Sequence, residues 1–282
     1  MKKIFKVLVN VLALCLGVFA VFTMTACKDI KTVEVKLSIY NYTDNVFEEK
    51  TLTVDLYRHL APKTVDNVLS AIKDGYYDGA VAYKNEGANY ISLGEFKADG
   101  DSIVKQADRP TVEGEFKANG VDGSNLSNKK GYVGLWRSYT KDGGSFTVSD
   151  SARDSGTAVW YMPTTTKADM DGYFAVFGKF DLDSTANSEA FTMMQTVLTG
   201  SNYDSYEVFY TGESKDALTI HIIKSSELET DENYDEAAGT YGGEPIYEAK
   251  GSDLASFDKH TVYMPKVENG AFAIVVKSVK IK

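Results

Sequence analysis

Apolar and polar residues alternate in several short stretches of this chain, and that pattern restricts the possible folds more than any other feature. The alternation runs through Val33, Val35, Leu37 and Ile39, and again through Leu52, Val54 and Leu56. A period of two places neighbouring side chains on opposite faces of a strand, so the two stretches predict a hairpin with one buried face. Further core strands are predicted near 131–137, 158–162, 175–179, 218–224 and 271–281. Many short strands with few helices favour a mainly β fold, a barrel or a sandwich.

Two stretches have a helical period instead. Pro62 suits a first helical turn, and apolar residues follow it at Val65, Val68, Leu69 and Ile72. A second amphipathic helix is predicted around 191–198. Residues 94–130 are rich in Gly, Asp, Asn and Lys, which predicts a long loop region.

The first 26 residues predict a targeting segment outside the fold. Three lysines precede an apolar run at 7–22, and Met24-Thr25-Ala26-Cys27 resembles a bacterial lipobox. That resemblance implies a signal peptide at 1–26, a lipidated Cys27, a tether at 27–32 and an extracytoplasmic body anchored on the cell membrane. The alternative is an uncleaved transmembrane anchor, although the run is shorter than the roughly 20 residues that span a bilayer.

The cysteine count and the net charge argue against disulfide bonds, cysteine metal sites and nucleic-acid binding. The chain has two cysteines, Cys15 in the signal and Cys27. A cut before Cys27 leaves the body without an intramolecular disulfide or a cysteine metal site, so its core must stabilise it. Asp and Glu number 40 against 30 Lys and Arg, for a net charge of -10. An acidic body lacks the basic surface that nucleic-acid binding needs, so no nucleic-acid partner is expected.

The motifs of common enzymes and metal sites are missing from the sequence. The acidic stretch 227–236 lacks the ligand spacing of a calcium loop, and no metal is expected there. Phosphate-loop, dinucleotide-binding and metalloprotease motifs do not occur. The three histidines, His59, His221 and His260, are scattered, and nothing places one beside a nucleophile.

A series of motifs resembles the cyclophilin-type peptidyl-prolyl isomerases. The motifs are Leu52–Gly79, with APKTVDNVL and GYYDG, then Gly114-Glu115-Phe116, Gly131–Leu135, Met170–Lys179 and the closing Ile274–Ile281. They occur in the family's order. The resemblance implies a closed eight-stranded antiparallel β-barrel with two capping helices, spanning 33–282 with an insertion at about 201–261.

The same resemblance implies an activity and a site. Isomerisation of an Xaa-Pro bond needs an apolar pocket for the proline ring and a cationic donor that eases rotation about the amide, with no cofactor or metal. The family's arginine corresponds to Lys84. The implied proline pocket consists of Tyr90, Ile91, Leu93, Leu135, Trp136, Ala158, Trp160, Met170 and Phe174.

Departures from the family pattern leave two functions open. Lys84 keeps the charge of an arginine but not its planar fork, and Leu93 and Ala158 replace polar pocket residues of the family. The first hypothesis is a peptidyl-prolyl isomerase that acts on exported proteins at the outer face of the membrane. The alternative is a catalytically degenerate cyclophilin-like module that binds proline-containing or unfolded segments. A solute-binding lipoprotein is disfavoured because the two-lobed βαβ pattern is missing.

Overall fold

The structure, a computed structural model, describes residues 29–85, 89–121, 126–150, 152–200, 202–214, 217–248 and 258–282. The predicted signal peptide and Cys27 lie outside these residues. In the part of the chain that is described, no helix combines the length and the apolar character needed to cross a bilayer.

Strands dominate the described chain. They are β1 Ile30–Asn41, β2 Val46–Tyr57, β3 Lys84–Asn85, β4 Tyr90–Leu93, β5 Phe96–Asp99, β6 Ser102–Lys105, β7 Tyr132–Leu135, β8 Thr140–Asp142, β9 Ser145–Thr147, β10 Trp160–Pro163, β11 Val176–Lys179, β12 Tyr203–Thr211, β13 Thr219–Lys224, β14 Tyr234–Asp235, β15 Thr240–Tyr241, β16 Glu244–Pro245, β17 His260–Pro265 and β18 Ile274–Ile281. The helices are α1 Pro62–Lys73, α2 Thr185–Thr199 and the short α3 Ser225–Leu228. The fold is therefore mainly β, and the two predicted amphipathic helices are α1 and α2.

Seven strands form a curled antiparallel sheet in the order β18-β1-β2-β11-β7-β10-β4. Its inner face packs with α1 and α2 into a central core, which includes Val33 and Val54 from the sheet, Val68 from α1 and Phe191 from α2. The alternation in β1 is confirmed, since every second residue from Val33 to Ile39 is buried. Burying each such aliphatic side chain stabilises the fold by about 1.5–3 kcal/mol.

Residues 79–83 connect the two edges of this sheet. On one side Gly79 N donates to Val276 O of β18 at 2.9 Å, and Val276 N donates to Ala80 O at 2.8 Å. On the other side Tyr83 and Ser92 of β4 exchange backbone hydrogen bonds of 3.1 and 2.8 Å. These contacts are isolated bridges rather than a strand, so the predicted closed barrel of eight strands is not confirmed.

A second sheet covers this connection, in the order β13-β12-β17-β3. Most of it lies in the predicted insertion. A second core joins it to the main sheet and contains Tyr83, Phe96, Tyr206 and Met264. This core also explains why the predicted loop at 94–130 is wrong in part, because Phe96 and Ile103 bury their side chains here and form the hairpin β5–β6.

Candidate functional site

The strands β10 and β4 present aromatic side chains on the face opposite the central core. Neighbouring strand residues point to opposite faces. In β10, Trp160 and Met162 lie in the central core, whereas Tyr161 lies on the other face. In β4, Ile91 and Leu93 lie in the core. The outward face of the sheet therefore has its own set of apolar side chains.

We call this set the aromatic cluster. It consists of the buried residues Phe146, Tyr161, Met170 and Phe174 and the partly buried residues Tyr90, Trp136, Tyr139 and Tyr173. Three of the contributing elements are the strands β4, β9 and β10. The other residues come from the segment that follows β7 and from the turns that precede β11. Gly134 of β7 lies beneath the Tyr161 ring, and a Cβ atom there would overlap that ring. Glycine at 134 thus lets the cluster pack directly on the sheet.

Trp136 lies in the middle of the cluster. Its ring centroid is 4.9 Å from the centroid of Tyr90, 4.9 Å from that of Tyr161 and 5.6 Å from that of Phe174. Its indole Nε1 donates a hydrogen bond of 3.0 Å to Ser92 Oγ. Edge-to-face packing of this kind contributes about 0.5–1.5 kcal/mol per pair beyond burial. The cluster is therefore a preorganised aromatic surface, and its partly buried members form its accessible rim.

A hydrogen-bond chain fixes the base of the cluster. The Tyr161 hydroxyl donates to Asn128 Oδ1. The backbone N and Nδ2 of Asn128 donate to Asp171 Oδ1 at 2.6 and 2.9 Å. Burial, with a smaller contribution from the Asp171 charge, raises the pKa of Tyr161 well above its usual value. Burial likewise raises the pKa of Tyr90. Both phenols stay neutral at physiological pH, so the cluster offers a ligand an uncharged surface.

Arg137 is a cation in contact with the cluster that the sequence analysis did not single out. Its guanidinium carbon lies 4.8 Å from the ring centroid of Phe174 and 4.7 Å from that of Phe116. Nε donates to Tyr173 O at 2.7 Å and Nη1 to Ser138 O at 2.8 Å. Burial lowers the pKa of Arg137 to about 10, so the side chain is still charged at neutral pH. An arginine directly after Trp136, in a strand-end position, is the signal that could have identified it.

The Gly114-Glu115-Phe116 motif supports both Arg137 and α1. Ala61 precedes α1 and has no side chain that could cap the helix. The buried Glu115 carboxylate replaces the cap, because it accepts hydrogen bonds from the backbone N of Lys63 at 3.0 Å and of Thr64 at 2.7 Å. The next residue, Phe116, places its ring against Arg137. The motif thereby joins a helix N-terminus to the aromatic cluster.

The predicted pocket residues divide between the two faces of the sheet. Tyr90, Trp136, Met170 and Phe174 meet in the aromatic cluster. The other five, Ile91, Leu93, Leu135, Ala158 and Trp160, lie in the central core, where they pack against the inner side of the sheet. Tyr161 takes the place in the cluster that the sequence analysis gave to Trp160. In a strand, a shift of one residue reverses the face, and two adjacent aromatic residues do not show which of them faces outward.

Lys84 lies in a different environment. It belongs to β3, which pairs with β17 of the second sheet, with Tyr263 opposite Lys84. Its ammonium nitrogen is 5.8 Å from the Tyr203 ring centroid and 5.9 Å from that of Tyr263. The contacts of Lys84 are therefore with the second sheet, and its predicted catalytic role stays a prediction.

No cluster of three or more His, Cys, Asp or Glu side chains able to hold a metal ion occurs within the described residues. The aromatic cluster itself offers aromatic faces, neutral phenols and one neighbouring guanidinium. Such a surface binds apolar rings and hydrogen-bonds to peptide groups.

Comparisons with known proteins identify the family to which the chain belongs. Residues 42–203 match the model of the family described as cyclophilin type peptidyl-prolyl cis-trans isomerase/CLD. Among curated proteins there is no match. Among solved structures, the chain is similar to a cyclophilin type peptidyl-prolyl cis-trans isomerase of Cryptosporidium parvum, at 14% identity over 90% of this chain and 98% of that chain, with a TM-score of 0.41. A crystal structure of the same isomerase in the presence of the dipeptide Ala-Pro matches at 15% identity over 67% of this chain and 94% of that chain, with a TM-score of 0.36. Because the family match spans more than half of its residues, the chain belongs to the cyclophilin-type peptidyl-prolyl cis-trans isomerase family.

Proposed function

We propose that this protein binds proline-containing polypeptide segments on its aromatic cluster. The single observation that carries the proposal is the position of Trp136, whose ring lies between Tyr90, Tyr161 and Phe174 and is only partly buried. A proline ring is apolar and rigid, and aromatic-lined surfaces bind it because little conformational entropy is lost. Membership of the family supports the same class of ligand.

Isomerisation of the bound Xaa-Pro bond is the second candidate, and family membership is the observation that favours it. Catalysis requires a donor that stabilises the amide as it loses double-bond character. Lys84 is the donor proposed from the sequence, but its contacts are with Tyr203 and Tyr263. Binding without fast isomerisation therefore has the stronger geometric support.

We further propose that the protein acts at the outer face of a membrane, on exported polypeptides. The support is the lipobox-like sequence at 24–27, which lies outside the described residues. Stable anchoring requires more than one acyl chain, which a lipidated N-terminal cysteine would supply. β1 begins at Ile30, so such an anchor would hold the fold close to the membrane surface.

A peptide titration tests the binding proposal. The protein without residues 1–27 is titrated with a tetrapeptide that contains Ala-Pro and with the same peptide carrying Ala-Ala. We expect preferential binding of the proline peptide and a loss of affinity of about tenfold or more in Trp136→Ala. Tyr203→Ala is the matched control, since Tyr203 is an exposed aromatic residue outside the cluster. Equal affinity for the two peptides would contradict the proposal.

The isomerase candidate has a separate test. The exchange rate of the Ala-Pro bond is measured with the wild type, with Lys84→Ala and with Lys259→Ala. Lys259 also lies over a tyrosine ring, 4.7 Å from the centroid of Tyr234, and serves as the control lysine. Acceleration by the wild type that is lost only in Lys84→Ala would establish an isomerase with a lysine donor. No acceleration would leave binding as the function.

A further inference from the structure

A small cavity lies between α1 and the strand end that carries Arg137. The space in it that a water-sized sphere can occupy is about 10 Å³. Its lining includes Thr64 of α1, Phe116, Arg137 and Arg153. The cavity is thus next to Arg137, and none of the aromatic-cluster residues lines it.

Two residues of its lining each carry a buried polar atom that has no hydrogen-bond partner among the described residues. The atoms are Arg137 Nη2 and Thr64 Oγ1. Arg137 is 6% exposed and Thr64 is fully buried. The remaining guanidinium nitrogens of Arg137 both donate to backbone carbonyls, so Nη2 alone is left. Buried polar groups are almost always satisfied, by protein or by ordered water.

The volume of the cavity limits which molecules or ions it can hold. One water needs about 10–15 Å³ of such space and two or more polar partners. This cavity is at the lower limit of volume, and two of its lining residues carry unpartnered polar atoms. A chloride or bromide ion is larger than a water molecule, so the same volume disfavours it. A peptide side chain is too large for this space.

We propose that the cavity holds one tightly bound water molecule, which accepts a hydrogen bond from Arg137 Nη2 and hydrogen-bonds to Thr64 Oγ1. The water satisfies both orphan groups at once. It also links α1 to the guanidinium that contacts Phe116 and Phe174. All three guanidinium nitrogens of Arg137 then form hydrogen bonds. The guanidinium is therefore fixed in position against the ring of Phe174. The inference does not depend on what the cluster binds.

The test is a high-resolution crystal structure of the full-length protein, together with Thr64→Val and Thr64→Ser. Valine keeps the shape of threonine but removes the hydroxyl, whereas serine keeps the hydroxyl. We expect one isolated density peak in the wild type, about 2.7–3.2 Å from both Arg137 Nη2 and Thr64 Oγ1. The peak should persist in Thr64→Ser and be absent or weakened in Thr64→Val.

Three outcomes would overturn the proposal. The first is a wild-type cavity without density, with Nη2 bonded to a protein acceptor. The second is a peak of unchanged strength in Thr64→Val. The third is a peak that gives an anomalous signal in crystals grown with bromide, which would identify a halide. If Thr64→Val does not fold, the wild-type density and the bromide crystal still decide between these cases.

Discussion

The indole nitrogen of Trp136 donates a hydrogen bond of 3.0 Å to the hydroxyl of Ser92, and this contact fixes the central ring of the aromatic cluster to β4. Ser92 is fully buried, and its backbone also bonds to Tyr83. Trp136 therefore has one orientation, edge-on to Tyr90 and Phe174. The orientation of the proposed binding surface depends on a serine that the sequence analysis did not consider.

Removing this hydrogen bond should loosen Trp136 without unfolding the protein. We expect Ser92→Ala to lower the free energy of unfolding by about 1 kcal/mol, since the indole N–H loses its partner. The fluorescence of Trp136 should change as well. Denaturant titration and emission spectra measure both effects. The exposed Ser102→Ala is the control, and an unchanged spectrum in Ser92→Ala would show that the contact does not orient the ring.

The two tryptophans should respond differently to substitution, because they lie on opposite faces of the sheet. Trp160 is 2% exposed in the central core, so Trp160→Phe should cost about 2 kcal/mol of stability by leaving a cavity. Peptide affinity should stay unchanged. Trp136→Phe should lose affinity with a smaller loss of stability. Urea unfolding and peptide titration of both variants check this. If Trp160→Phe stays fully folded but binds the peptide more weakly, Trp160 is part of the binding site and this prediction is wrong.

Most of the main-sheet strands could be predicted from the sequence. The face of the sheet on which each predicted pocket residue lies could not. In β1 and α1, the buried residues are largely those that the alternating and helical patterns place on an apolar face. The local pattern is therefore enough to predict both elements. The side on which Trp160 and Tyr161 lie depends on pairing with β4 and β7, which local sequence does not contain. Five of the predicted pocket residues accordingly lie in the central core rather than in the aromatic cluster.

Lys84 and Arg137 show a second limit. The position of Lys84 depends on β17, which is 176 or more residues further along the chain. Arg137 contacts Phe116 and Phe174, which are distant from it in sequence, so the sequence did not predict that it belongs beside the aromatic cluster. The sequence motif at 114–116 indicated the family. It did not predict that this segment caps α1 and supports Arg137.

Glu115 should contribute more to stability than its neighbour Glu113. Glu115 is buried and accepts two backbone hydrogen bonds at the start of α1, so Glu115→Gln should cost about 1–2 kcal/mol. Glu113 forms an exposed ion pair with Lys63, so Glu113→Gln should cost less than Glu115→Gln. Chemical denaturation of both variants gives the comparison. Equal losses would mean that Glu115 does not cap the helix.

Alkaline pH should unfold the protein from about pH 10 upward. Burial raises the pKa of Tyr77, Tyr83 and Tyr161, whereas an unfolded tyrosine ionises near 10. A raised folded pKa gives stability that is complete below the unfolded pKa and is lost as the pH rises above it. Arg137 acts in the opposite direction, because its folded pKa of about 10 lies below the unfolded value. Three tyrosines outweigh one arginine, so the net effect is loss of stability.

Phenolate absorbance and circular dichroism, followed together, measure this transition. The buried tyrosines should ionise in one step that coincides with the loss of β structure, after the exposed tyrosines have titrated. Ionisation of every tyrosine at about pH 10 with the fold intact would contradict the burial of the three phenols.

The most direct test of the central claim is a map of peptide binding with methyl-labelled methionine. Met170 lies in the aromatic cluster, Met162 and Met194 in the central core, and Met264 in the second core. Met170→Leu assigns the signal. On addition of the proline peptide, the Met170 methyl signal should shift in a saturable manner, while the signals of Met194 and Met264 stay in place and the alanine peptide has no effect. A shift confined to Met264, or no shift of Met170 at saturating peptide, would contradict the proposed binding surface.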